Sequence, residues 1–138
     1  MEERIKEKIC CIEEYLKSLI EILPESLEEY KRSILIKNAT ERYFEKIVEA
    51  VTDLSHLVVK ELKLEPPETE TYYFSTLSKE VIISKELMKK LIEAKDMRNV
   101  LAHQYKTIED EKVFESSKEE LPKDIQEFIS DINKALAK

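Results

Sequence analysis

Apolar residues recur every three to four positions along four stretches of the chain, and the interruptions fall at prolines or polar clusters. Ile5, Ile9, Ile12, Leu16, Leu19 and Leu23 line one face of a first amphipathic helix that stops before Pro24. Ser26 followed three residues later by Glu29 is a capping box, so a second helix opens there. Its apolar set, Tyr30, Ile34, Tyr43, Ile47, Val51, Leu54 and Val58, predicts one long helix to about Leu62. Glu65-Pro66-Pro67-Glu68 is a loop, because two prolines cannot be accommodated inside a helix. Thr71 to Ile83 reads as a short helical or irregular piece. Ser84 caps a third helix carrying Leu87, Met88, Leu91, Ile92, Ala94, Met97, Val100 and Leu101. That set is too broad for one face packed on one neighbour, which predicts burial against both the bundle and a second subunit. An acidic loop near Glu109-Asp110-Glu111 leads to a last helix opened by Pro122 and lined by Ile125, Phe128, Ile129, Ile132 and Leu136. The expected fold is all-α: a single domain over residues 1–138, an antiparallel helical bundle of four to five helices.

Composition narrows the function more than the fold. With 138 residues and 42% hydrophobic content the chain can bury a core without staples. Glycine is absent. That excludes the phosphate-cradling P-loop and the dinucleotide fingerprint, which need glycine where backbone approaches phosphate, and argues against β-hairpins with primed turns. The only cysteines, Cys10 and Cys11, are adjacent. Such a pair can hardly form a disulfide and makes a poor metal site, so the two read as small hydrophobes of the first helix in a reducing, cytoplasmic setting. No stretch approaches the roughly 20 apolar residues that span a bilayer, and Met1-Glu2-Glu3-Arg4 is charged with no signal-type run behind it. The expectation is a cytoplasmic protein with no membrane association.

The net charge of −7 opposes nucleic-acid binding as a total, but its distribution does not. From Lys85 to Lys106 six basic residues stand against three acidic ones, which leaves −10 for the rest of the chain. Lys95 and Lys106 are therefore candidate RNA contacts, set beside the plainer reading of solvated lysines on a helix surface.

The same stretch holds the chemistry. Arg98-Asn99-Val100-Leu101-Ala102-His103-Gln104-Tyr105 places a fixed cation, an amide, an imidazole and a phenol within eight residues. Histidine exchanges protons near neutrality, and arginine offers a planar fork of donors that fits phosphate. On a helix turning about 100° per residue, Asn99 and His103 share a face, Arg98 flanks it, and Tyr105 lies roughly 200° from His103. These are parts for cleaving a phosphodiester: His103 as general acid/base, Arg98 stabilising charge on phosphate, Asn99 orienting substrate or imidazole. One histidine per chain does not easily act as both base and acid, and a second His103 from a partner subunit would resolve that. His56, between Leu54 and Leu57, reads as a structural histidine. Asp53 reads as a surface carboxylate or as a backup to the cluster from the neighbouring helix. Tyr30, Tyr43, Tyr72 and Tyr73 read as core or interface aromatics.

The run Arg98-Asn99, His103, Tyr105 is the pattern Arg-x4-His-x-Tyr, and with it the chain resembles HEPN-domain ribonuclease toxins, in particular the HepT-like group paired with a minimal nucleotidyltransferase antitoxin. Glu41-Arg42-Tyr43 leading to Thr52-Asp53-Leu54-Ser55-His56-Leu57 resembles that family's second helix, and Val81-Ile82-Ile83-Ser84-Lys85-Glu86-Leu87 the run before its catalytic helix. The resemblance implies a HEPN-like bundle acting as a homodimer on RNA, without metal or other cofactor, in a type VII-like toxin–antitoxin pair. It also implies that the nucleotidyltransferase silences the toxin by attaching AMP to Tyr105. A different class of function uses the same residues: a non-catalytic nucleotide- or RNA-binding partner subunit of a nucleotidyltransferase, with Arg98 and the lysines as a phosphate clamp. A purely structural helical adaptor is the third.

Overall fold

The computed structural model describes residues 2–69, 72–103 and 108–138. Helix α1 (Glu3–Ile22) buries Ile5, Ile9, Ile12, Leu16 and Leu19, the stripe its spacing predicts. The capping box holds: Ser26 Oγ accepts the Glu29 amide at 3.2 Å and opens α2, Leu27–Arg32. The predicted long second helix is broken at Ser33. This residue is extended, with φ −111° and ψ 108°, and its Oγ accepts the Ile36 amide at 3.1 Å, so a new helix, α3 (Ile34–Glu61), starts there. A serine hydroxyl that can satisfy an orphan amide makes such a restart inexpensive. One consequence is that Ile34, assigned by its spacing to the buried face, is exposed together with Leu35.

Helix α4 (Tyr73–Lys79) buries Phe74 and Leu77. Ser84 then caps α5 (Lys85–His103), its Oγ accepting the Leu87 amide at 3.0 Å. The expected acidic loop is shorter than predicted. Glu109 is extended, but Asp110 and Glu111 form the first turn of α6 (Asp110–Glu115), where carboxylates oppose the positive end of the helix dipole. A π-helical turn, Ser116–Glu120, runs into α7 (Leu121–Leu136), with Pro122 in its first turn as expected.

The result is an all-helical antiparallel bundle in which α1, α3, α5 and α7 carry the bulk of one hydrophobic core. Helix α3 is central, flanked by α1, α4 and α5, while α7 closes on α5. Phe74 meets Phe128 edge-on at 6.3 Å, tying α4 to α7, and Tyr30 packs on Phe114 at 5.3 Å, tying α2 to α6. Two helices end in Schellman motifs. Leu64 N–H donates to Val59 O and Lys63 N–H to Lys60 O after α3; Ile82 N–H donates to Leu77 O and Val81 N–H to Ser78 O after α4. Each needs a left-handed residue, and without glycine the chain uses Lys63 (φ 56°) and Val81 (φ 59°).

Candidate functional site

Helix α5 ends at the motif. Its buried residues, Leu87, Leu91 and Met97, turn one side into the bundle, while Met88, Ile92, Ala94, Val100 and Leu101 are only partly covered. Packing of α5 on α3 brings Arg98 toward the middle of the longer helix. Arg98 Nη1 donates to Asn99 Oδ1 at 3.0 Å, and Nη2 donates to Glu49 Oε2 on α3 at 3.4 Å. Three quarters of the Arg98 side chain is covered, whereas Glu49 is 58% exposed. An ion pair with so exposed a partner stabilises a fold by only about 0.2–1 kcal/mol, so the contact matters more for where the guanidinium points than for stability. His103 is the last residue of α5 and is exposed.

Arg98 and Asn99 are thus joined directly, with His103 one turn beyond Asn99. Tyr105 and Lys106 lie outside the described residues. Lys95 departs from the surface expectation: it is 8% exposed, so the protomer does not present it to a backbone phosphate as an outward lysine would. Asp53 turns to α1 and pairs with Lys8 at 3.6 Å, as a helix-surface carboxylate does. The carboxylate that reaches Arg98 is Glu49, one turn earlier on α3, which the sequence reading did not single out. His56 packs on Tyr73, and its Nε2 is buried with no hydrogen-bond partner, in keeping with a structural role. Tyr30 is fully buried, and burial pushes its phenol well above the ordinary tyrosine range. Tyr72, read as a core or interface aromatic, is largely exposed in the protomer.

A cleft of about 880 Å³ opens beside α5, lined by Ala94, Met97 and Val100 with Lys90, Lys112 and Asp124 among others. Neither Arg98, Asn99 nor His103 lines it. The cleft and the motif therefore use different sides of the same helix. Among the described residues no three His, Cys, Asp or Glu side chains converge as metal ligands would, and no helix is long and apolar enough to cross a membrane.

The bundle has the HEPN fold. It superimposes with a TM-score of 0.89 on a solved structure of tri-AMPylated Shewanella oneidensis HEPN toxin in complex with MNT antitoxin, at 19% identity over 97% of this chain and 99% of that one. YutE, a cytosolic protein of unknown function from Bacillus subtilis, shares it with a TM-score of 0.80 at 16% identity, over 96% and 88% of the two chains. Sequence narrows the class further: the chain belongs to the ribonuclease HepT-like family, whose pattern it matches over residues 12–132. The tRNA nuclease HepT of Aphanizomenon flos-aquae is 30% identical over 110 residues, 80% of this chain and 75% of that protein.

Proposed function

We propose that this chain is the endoribonuclease toxin of a type VII-like toxin–antitoxin pair, cleaving RNA without a metal ion. The observation that carries the reading is the Arg98–Asn99 pair held at the exposed end of α5 with His103 one turn on, in a chain of the ribonuclease HepT-like family. An imidazole takes the proton of the RNA 2′-hydroxyl as its oxygen bonds to the adjacent phosphorus. The bond from phosphorus to the 5′-oxygen then breaks, and the leaving oxygen takes a proton from an imidazolium. The products are a 2′,3′-cyclic phosphate and a free 5′-hydroxyl. Proton transfer of this kind contributes about 10² to 10⁴-fold. Arg98 offers N–H donors to the phosphorane oxygens, where negative charge grows during the attack. Asn99 holds the Arg98 guanidinium through its side-chain carbonyl.

One His103 per chain favours a homodimer in which two copies serve as base and acid, and the partly covered apolar side of α5 is the surface to build it on. The partner is a minimal nucleotidyltransferase, as the antitoxin-bound Shewanella relative suggests. By the 30% identical relative, tRNA is the first substrate to try. Purified protein incubated with a tRNA pool tests the reading. Cleavage should survive EDTA, vanish in His103→Ala and Arg98→Ala, and run with a folded dimer by light scattering. Loss of activity on chelation with recovery on adding a divalent ion, or full activity of His103→Ala, would sink it. A tRNA pool bound tightly and left intact by the wild type would instead support the non-catalytic binding subunit.

A further inference from the structure

Glu49 belongs to no part of the motif and sits on a different helix, yet its carboxylate touches the guanidinium that the proposed chemistry needs. Arg98 has five N–H donors in a rigid planar fork. One on Nη1 goes to Asn99 Oδ1 and one on Nη2 goes to Glu49 Oε2. Nε is buried without a hydrogen bond. Each terminal nitrogen therefore keeps a second N–H for phosphate oxygens. An arginine tethered only through its own stem loses much rotational freedom on meeting a phosphate, whereas one gripped from two helices has lost it already. The grip also opposes charge considerations. A carboxylate more than half exposed beside a phosphate-binding arginine repels a polyanion, so it weakens RNA binding by itself.

We propose that Glu49 is the positioning residue of Arg98, fixing the guanidinium plane so that its remaining N–H groups meet the phosphorane oxygens. This rests on the ribonuclease reading of Arg98. Orientation by Glu49 and repulsion by Glu49 act on different kinetic constants. Orientation raises the turnover of bound RNA, whereas repulsion raises KM. Removing the carboxylate should therefore lower kcat, taken per folded protein as measured by circular dichroism, and leave KM equal or lower, whereas loss of folded enzyme alone leaves that kcat unchanged. Asp53 supplies the control. It lies one turn further along the same helix, carries the same charge and is held by Lys8 instead of Arg98.

The experiment is steady-state cleavage of a tRNA pool by the full chain. Glu49→Ala should lower kcat about tenfold with KM unchanged or reduced. Glu49→Gln, which keeps an acceptor oxygen, should recover part of kcat, and Asp53→Ala should keep the wild-type kcat. Glu49→Lys repels the guanidinium from a solvent-facing position that tolerates lysine, and should lower kcat at least as far as alanine. It carries the test if the alanine variant does not fold. Wild-type or increased kcat in folded Glu49→Ala and Glu49→Lys overturns the proposal, an increase meaning that Glu49 restrains Arg98 instead of aiming it. If the wild type and His103→Ala are equally without cleavage, the ribonuclease reading itself fails and this inference falls with it.

Discussion

His56 packs on Tyr73 across the α3–α4 contact, with ring centroids 3.9 Å apart and planes inclined by 34°. The buried, unbonded Nε2 adds nothing to that contact and leaves a polar atom unsatisfied. His56→Phe should therefore keep the ring contact, melt no lower than wild type and cleave RNA within about twofold of it. His56→Ala should cost about 1–3 kcal/mol through the lost ring. Thermal melts and a cleavage assay check both, and a folded phenylalanine variant without activity would move His56 into the chemistry.

Tyr105 follows His103 by two residues in the sequence, and AMP attached to its phenol would add a phosphate and a nucleoside to the motif that carries Arg98. The adduct would occupy the guanidinium that RNA needs, so silencing requires no change of fold. Co-expression with a minimal nucleotidyltransferase antitoxin followed by intact-mass measurement should show AMP increments that disappear in Tyr105→Phe. An inhibited complex with unmodified toxin would mean that the antitoxin works by occlusion.

Val81 is 86% exposed and left-handed, a conformation that crowds a β-branched side chain against its own backbone. The strain is worth about 1–2 kcal/mol, and nothing buried is lost when the isopropyl group is removed. Val81→Gly should raise the melting temperature by about 2–4 °C, the response to roughly 1 kcal/mol in a domain of this size. A lowered melting temperature would show that Val81 makes contacts worth more than its strain.

Asp124 is buried at the start of α7, and burial raises its carboxyl pKa against the opposing pull of Lys90 Nζ at 3.7 Å. Folding thus disfavours its ionised form. The stability this group contributes is fully present below the ordinary carboxylate value and is lost as pH rises through the higher folded value. Asp124→Asn, neutral throughout, should melt above wild type at pH 7, and the gap should close as pH falls into the carboxylate range. Glu41, raised chiefly by burial as well, adds to the same trend. Melting curves from pH 3 to 7 decide the matter; a gap that widens toward acid would mean that the Lys90 pair outweighs the burial.

What could be read without coordinates was whatever is local. The stripes of α1 and α7, the caps at Ser26 and Ser84 and the start at Pro122 all follow from spacing and from side chains reaching their own helix. Ser33 shows the limit. A serine inside an amphipathic run can continue a helix, as Ser55 does by returning its hydroxyl to Val51 O at 3.0 Å, or end one, as Ser33 does. Tyr30, three residues before the break, packs on Phe114, a contact between distant parts of the chain that no window of sequence contains. The site divides in the same way. Arg98, Asn99 and His103 announce themselves by type and spacing. Glu49 and Asp53 are both acidic, one turn apart, and only the register of α3 against α5 and α1 assigns the first to Arg98 and the second to Lys8. Lys95 looked outward in a basic run until the facing of α5 turned it in.

The absence of glycine bears on the unfolded chain as much as on the folded one. Each residue with a Cβ explores fewer backbone states when unfolded than glycine would, so ordering it costs less, by about 0.4–1 kcal/mol where the native conformation suits both. A sequence of 138 residues without one glycine therefore begins from a narrower denatured ensemble than most of its size. At Lys63 and Val81 that economy meets its limit, because the turns there ask for a conformation that only glycine adopts without strain.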